Sequence, residues 1–388
     1  MKLLYISPSP PNEMERVRSL NILKALKKKN VNITLITLYN SKQEKYIANA
    51  EKYVDNIIKV KYSKIVAIFY AFISLFLPVP VRVGYCFNFR LRKILKTMQY
   101  DFDVAYIKRL RMAQYKKYLR VQTVYIDITD SLTKCYERLA KTEKGIKKLV
   151  CLEEFYKHKI YEKKICENNE NIIICSEDDK KYLKKLSSKI IGKITVIDNV
   201  IDVQKWTSDN IKVSNPGERN RLAFLGVMNY EPNVLGVKYL IKNVLPKLPN
   251  EYSLNVVGAR VPKELKKFEN ERVKFLGYVD SVKEELSKYD IFICPIIAGA
   301  GTKNKILQAG AMGLPIVCTQ MSLEGLTQEL KDVVFVANTE EEFVKQISKI
   351  DSMDEKDLLK ILERQVEIIR KNNSMEMLEK KFRRLIIE

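Results

Sequence analysis

Residues 291–319, IFICPIIAGAGTKNKILQAGAMGLPIVCT, carry the pattern that decides the fold. Residues 291–297 are a continuous apolar run of strand length, and 298–302 interrupt it with Gly299 and Gly301. From Lys303 to Met312 the chain reads as a helix, stopped by Gly313 and Pro315, and 315–319 return as a second apolar strand. Strands buried on both faces lose the apolar–polar alternation, so apolar strands on either side of one short helix define a parallel α/β unit. In such sheets ligands sit beyond the carboxyl ends of the strands. The loop 298–302 lies at such an end and runs into a helix N-terminus. Small residues there let backbone N–H groups approach an anion, and the helix dipole favours phosphate. Lys303 and Lys305 add positive charge to the same place. On spacing alone two readings stay open, a phosphate cradle and an ordinary strand-to-helix turn.

The same alternation extends in both directions. Residues 221–227, 253–257, 273–276 and 333–336 read as further strands, with helices between them. Before residue 206 the pattern runs once already: strands over 2–7 and 31–39 flank a helix over 17–29 with Leu20, Leu23 and Leu26 on one face. Strand candidates follow at 56–62, 102–108, 123–128, 171–175 and 193–197. The polar stretch 206–220, with Asn215, Pro216 and Gly217, reads as a linker. The expected architecture is therefore α/β, with two Rossmann-like domains whose parallel sheets face each other across a cleft, the usual place for a ligand. The domains are expected at 1–205 and 221–360, with a C-terminal helix over 361–388 packing back toward the first.

Composition narrows the function. At 388 residues and roughly 150 residues per domain, two or three domains are expected. Seven cysteines never fall as C-x-x-C, and several lie in expected strands or helices, which suits buried thiols in a reducing compartment. The one histidine, His158, argues against a multi-histidine metal site. It sits among lysines in a long charged helix over 133–164 and is expected at the surface. The apolar start of the chain is too short for a signal peptide. The net charge of +22 is uneven: residues 1–200 hold 40 Lys and Arg against 20 Asp and Glu, and the rest nearly balances. That half is expected to face something anionic, such as a lipid surface or a phosphorylated substrate. No nucleic-acid-binding motif is present, so nucleic acid is not an expected partner.

Three features of the first half are candidates for contact with substrate or membrane. The first loop, SPSPPNEMER, lacks G-x-G-x-x-G, but Arg16 and Arg18 stand where it becomes a helix and suit either a phosphate or carboxylate contact or a solvated helix start. Residues 125–131, YIDITDS, end a strand with Asp127, Asp130 and Ser131, which suits substrate contact or a helix cap. Residues 65–77, IVAIFYAFISLFL, are the most hydrophobic run in the chain. A span takes about 20 residues, so this run does not cross a bilayer. Arg82, Arg90, Arg92, Lys93 and Lys96 follow it, a combination suited to lying in the plane of an anionic membrane; a buried helix is the other reading.

In the second half, LAFLGVMNYEPNVLGVKYL, LNVVGA, VKFLGYVD, CPIIAGAGTKNKILQAGAMGLPIVCT and LEGL resemble, in order and spacing, the group 1 (family 4) glycosyltransferases of GT-B fold. SPSPP with Arg18, DITDS, CSEDD and DNVID extend the resemblance across the first half. The resemblance implies a retaining transfer of a sugar from a nucleotide-sugar donor, with no cofactor and no obligate metal. It implies a donor site in the second domain. There the backbone of Gly299, Ala300, Gly301 and Thr302, with Lys303 and Lys305, would hold the diphosphate; Gly226 and Asn229 would line its other side; Tyr278 and Val279 would flank the base; and Gln308 would take the ribose hydroxyls. Asp127, Asp130 and Ser131 would lie near the acceptor or the transferred sugar, with Asp127, Asp130 and Lys305 as the catalytic candidates.

Two positions depart from that pattern. The family's glutamate pair falls on Ala300 and Gln308, and its Arg/Lys pair falls on Val227 and Asn233. The expected function is transfer to a lipid-linked or surface-polysaccharide acceptor by a cytoplasmic protein peripheral at the inner membrane face. The departures also motivate a non-catalytic GT-B protein that stabilises a partner transferase, and the fold admits a GT-B nucleotide-sugar epimerase.

Overall fold

The computed structural model describes residues 1–388 apart from 14–15, 29–30, 99–101, 208–210, 298–303 and 388. The chain divides into two compact units, Met1–Asn199 with Met375–Glu388, and Val200–Ser374. Among the described residues each unit is built on one all-parallel sheet. In the first, strands β1 (Lys2–Ser7), β2 (Asn32–Tyr39), β3 (Asn56–Lys61), β4 (Val104–Lys108), β5 (Thr123–Thr129), β6 (Asn171–Ile174) and β7 (Ile194–Val196) lie in the order β3-β2-β1-β4-β5-β6-β7. In the second, β8 (Arg221–Leu225), β9 (Ser253–Val257), β10 (Val273–Gly277), β11 (Ile291–Cys294), β12 (Ile316–Cys318) and β13 (Phe335–Val336) lie in the order β10-β9-β8-β11-β12-β13.

The strands are apolar because helices cover both faces, and the central ones are wholly buried: Leu3, Tyr5, Ile6, Ala105 and Ile107 in one sheet, Phe224, Ile291, Phe292 and Ile293 in the other. In each sheet the order reverses once, between β1 and β4 and between β8 and β11. At such a switch point the connections leave in opposite directions and open a crevice beyond the carboxyl ends.

Residues 211–219 are tied to the second unit. Ile211 and Val213 pack on its core, and the buried Arg219 donates to the carbonyls of Ser214, Ile350 and Met353. Helix Glu355–Asn372 stays with this unit, burying Leu358, Leu362 and Ile369. Helix Met375–Phe382 belongs to the first, where the Phe382 ring lies 5.9 Å from that of Tyr106.

Two expectations change, and one open choice narrows. The single helix over 133–164 is two, Leu132–Thr142 and Gly145–Glu167, parted over Glu143 and Lys144; Gly145, with φ at +57°, a value that suits glycine, opens the second. His158 is not a surface residue: it is fully buried, stacks on Tyr136 with ring centroids 4.9 Å apart, and its Nδ1 meets the Glu154 carbonyl at 2.8 Å. The helix buries Glu154, Lys157, His158, Glu162 and Cys166, a mostly charged set that does not read as an inward face in the sequence. The apolar run after residue 64 forms helix Lys64–Leu75, and it is not buried: only Ala67 and Ser74 are covered, while Ile65 is 81% exposed.

Candidate functional site

The switch point of the second unit gathers the residues singled out in its sequence. Lys305 stands in the first turn of helix Asn304–Ala311, the helix that carries Ile306 and Leu307 into the core. Its ammonium crosses to the end of β8, where Nζ donates to Asn233 Oδ1 at 2.8 Å and lies 4.2 Å from the centre of the Phe224 ring. Asn233 is held in turn by its Nδ2, which donates to the Val227 carbonyl at 2.9 Å. Gly226 makes the room: a Cβ there would stand 2.8 Å from Lys305 Nζ and 2.6 Å from Asn233 Nδ2. Gly258 does the same one strand over, with φ at +152° and a built Cβ only 1.9 Å from the Gly226 carbonyl oxygen. Two glycines thus bring the ends of β8 and β9 together beneath a lysine ammonium. Asn233, noted in the sequence as a lost cation, instead orients the cation that remains.

Gln308 follows Lys305 by three residues and is half-buried, so the two side chains leave the same face of the helix. Asn229 is exposed after β8. Tyr278, 64% exposed, follows the left-handed Gly277 at the end of β10, and Val279 packs back on the core. All these residues stand at the carboxyl edge of one parallel sheet. Gly299, Ala300, Gly301, Thr302 and Lys303 lie outside the described residues.

In the first unit Asp127 is the centre of a buried charge cluster. Lys108 Nζ and Tyr106 OH each donate to its Oδ2 at 2.6 Å, Thr129 Oγ1 donates to Oδ1 at 2.8 Å, and Arg18 Nε stands 3.5 Å away. Burial raises the Asp127 carboxyl, but Lys108 and Arg18 outweigh it and hold the group below the usual carboxylate range. Burial draws Lys108 down to about 7, against the pull of Asp127. Arg18 is therefore not a solvated helix start: its Nη1 also donates to Asn199 Oδ1 at 2.9 Å and to the Asp198 carbonyl. The carboxylate it meets is its own chain's. With 0% exposure, Asp127 organises this edge and has no open face for a substrate.

Ser131 takes the second of its two readings, the helix cap. It is fully buried, caps helix Leu132–Thr142 by accepting from the Lys134 N–H, and donates to Glu162 Oε2 at 2.9 Å. Asp130 is the partly open member of the DITDS string, 3.4 Å from Arg109 Nη1 and accepting from Cys175 Sγ at 2.9 Å. Asp130, Cys175 and Asp179 bring ligand atoms within 4.8 Å of one another, the metal-type grouping found among the described residues. The Lys134 ammonium already stands 3.0 Å from Asp179 Oδ1, and burial with the neighbouring Asp130 keeps the Cys175 thiol protonated. Arg16 Nε donates to Ser9 Oγ at 2.8 Å.

Several residues at this edge carry no motif in the sequence. Lys108, Tyr106 and Thr129 surround Asp127, and Arg109 follows β4. Arg109 and Thr129 both hold positive φ, 76° and 70°. Such conformations cost on the order of 1–3 kcal/mol each and cluster at functional sites. The legible signal was weak: a Lys–Arg pair at a strand end, three residues after Ala105.

With the geometry in place, comparison with known proteins is informative. Residues 219–351 match the model of the glycosyl transferases group 1. Among curated proteins no relative matches the sequence. Among solved structures, Anabaena Alr3699/HepE in complex with UDP-glucose superposes with a TM-score of 0.69 at 12% identity, covering 100% of this chain and 99% of that one. A sucrose-phosphate synthase from Thermosynechococcus elongatus gives 0.72 at 13%, with 99% and 98% covered. WaaG, a glycosyltransferase involved in lipopolysaccharide biosynthesis, gives 0.66 at 12%, with 99% of both chains covered. The chain has the GT-B fold over its whole length. Residues 219–351, within the second unit, are similar to the group 1 glycosyl transferases.

Proposed function

We propose that the protein is a retaining glycosyltransferase that takes a sugar from a nucleotide-sugar donor bound at the carboxyl edge of β8–β11. It transfers the sugar to a lipid-linked or surface-polysaccharide acceptor bound by the first unit. The observation that carries this reading is the Lys305 ammonium, delivered to the switch point by Asn233 and admitted by Gly226. When the bond to the leaving nucleotide breaks, negative charge grows on the β-phosphate oxygens. A fixed ammonium aimed there stabilises the transition state more than the ground state, and such electrostatic preorganisation is often the largest catalytic term. Gln308 offers an amide that both accepts and donates, which suits a ribose diol. Asp130, unlike Asp127, has an open side and is the better carboxylate to meet the transferred sugar. The UDP-glucose of HepE and the lipopolysaccharide role of WaaG support this donor and acceptor chemistry. No metal is needed, because Lys305 supplies the charge a cation would.

The reading places the protein on the cytoplasmic membrane face through the first unit. Helix Lys64–Leu75 is apolar almost all round and exposes Ile65, Ile68, Phe69 and Phe72, followed by Phe76 and Leu77. Helix Gly145–Glu167 adds Ile146, Leu149 and Val150, interleaved with exposed Lys144, Lys147 and Lys148. Lys157 joins the two helices by donating to the carbonyls of Ser74 and Leu75 at 2.8 and 3.0 Å. Apolar surface on this scale is rare on a freely soluble monomer, and the cationic rim selects an anionic bilayer.

The test is a screen of nucleotide sugars for transfer to lipid-linked acceptors, with donor hydrolysis as a second readout. The reading expects turnover of one donor class with its anomeric configuration kept. Binding without turnover of any donor would favour the non-catalytic alternative.

A further inference from the structure

Beyond the carboxyl ends of β1, β2 and β3 the first unit encloses a cavity of about 190 Å³. That is several times the roughly 30 Å³ share of a water molecule and below the 300–1,000 Å³ or so of a pocket for a whole drug-sized ligand. It suits one small group. Ser9, Arg16, Gln43, Tyr62, Tyr85, Asn88 and Arg111 supply its polar lining, which contains no acidic side chain. Arg111 is the unusual member. Its Nε is buried and meets no hydrogen-bond acceptor among the described residues. Cys86 lines the same space, but burial raises its thiol, so it stays neutral and is not the missing counter-charge. A buried donor left without an acceptor is costly, and a guanidinium fork fits the paired oxygens of phosphate or carboxylate. Arg16, fixed by its bond to Ser9 Oγ, brings a second guanidinium to the same cavity.

We propose that this cavity binds a single oxyanion, phosphate or carboxylate, clamped by Arg111 and Arg16 with the tyrosine hydroxyls as further donors. Assigning that oxyanion to the acceptor rests on the transferase reading; the binding itself does not. The acceptor is then an anionic one, recognised by its charged group beside the reacting edge of the sheet.

The experiment is calorimetric titration of inorganic phosphate and of malonate into the full chain carrying Lys305→Ala, which weakens any phosphate contact at the other unit. Saturable binding is expected, weakened at least tenfold when Arg111→Gln is added. A nucleoside diphosphate should bind the single Arg111→Gln chain as it binds the wild type. If Arg111→Gln does not fold by circular dichroism, Arg16→Gln on the cavity wall is expected to weaken the same binding at least threefold. Phosphate bound more tightly than malonate identifies a phosphorylated acceptor, and the reverse a carboxylate-bearing one. Absence of saturable binding, or affinity unchanged by the arginine variants, overturns the proposal. A chain that binds nucleoside diphosphate but no oxyanion here loses this inference and keeps the transferase reading; the opposite pattern does the reverse.

Discussion

Asp127 shows how the same side chain reads differently once its neighbours are known. At the end of a strand it resembles a catalytic carboxylate, yet Lys108, Tyr106, Thr129 and Arg18 use its oxygens and no surface is left. Its removal leaves two buried cations uncompensated. Asp127→Ala should therefore lower stability by about 3–5 kcal/mol, read as a shift in denaturant midpoint, with lost activity following from lost structure. A variant of native stability and no activity would return Asp127 to the chemistry. Lys305 went the other way. The sequence placed it beside the glycine loop, but its path to Asn233 and Gly226 depends on residues 72 and 79 positions earlier, a relation no local spacing encodes.

At the scale of the element, helix and strand types were largely legible because apolar runs and 3.6-residue spacing report burial directly. Burial of single positions inside charged helices was not. His158 is the case in point. Its Nδ1 meets a carbonyl, and Nε2 is buried with no partner among the described residues, so a second proton has nowhere to go. Burial lowers its pKa from the ordinary 6.5 to about 4. Because the folded value is the lower one, its contribution is present above about 6.5 and is lost as pH falls toward 4, by at most about 3 kcal/mol. His158→Phe should flatten that part of the stability–pH curve, and an unchanged slope would contradict the assignment.

Helix Lys64–Leu75 presents the opposite ambiguity. Its composition suited both a core and a bilayer, and only its exposure separates them. Twelve residues at about 1.5 Å each reach about 18 Å, short of the roughly 30 Å hydrocarbon thickness, and no described helix is long and apolar enough to cross a membrane. It would lie in the interface. Co-sedimentation with anionic vesicles at low salt should be strong and should weaken at high salt, since each juxtamembrane Lys or Arg adds about 1 kcal/mol of screened attraction. Replacing Phe69 and Phe72 by Ser should reduce it at either salt. Equal binding to neutral and anionic vesicles would remove the electrostatic part of the account.

At the scale of the molecule, the charge is divided as the labour is: nearly all of the +22 lies in residues 1–200, the half read as facing membrane and acceptor, while the half read as holding the nucleotide is nearly neutral. The two-domain α/β architecture was legible because two α/β patterns follow one another. A return of the chain toward the first unit was expected from residue 361; its place at Met375 was not legible, since the helices on either side share one charged, amphipathic composition. On the proposed reading, in which Lys305 supplies the charge a cation would, transfer should persist in a chelator; complete loss with EDTA, restored by Mg²⁺, would contradict that. The central claim is that the second unit holds a nucleotide diphosphate on Lys305, and the direct measurement is titration of UDP and GDP into the wild-type and Lys305→Ala chains. The account predicts saturable binding of one of them, weakened by about 1.5–3 kcal/mol in the variant, as expected for a hydrogen bond to a charged group. No binding of either nucleotide, or equal affinity in both chains, would contradict it.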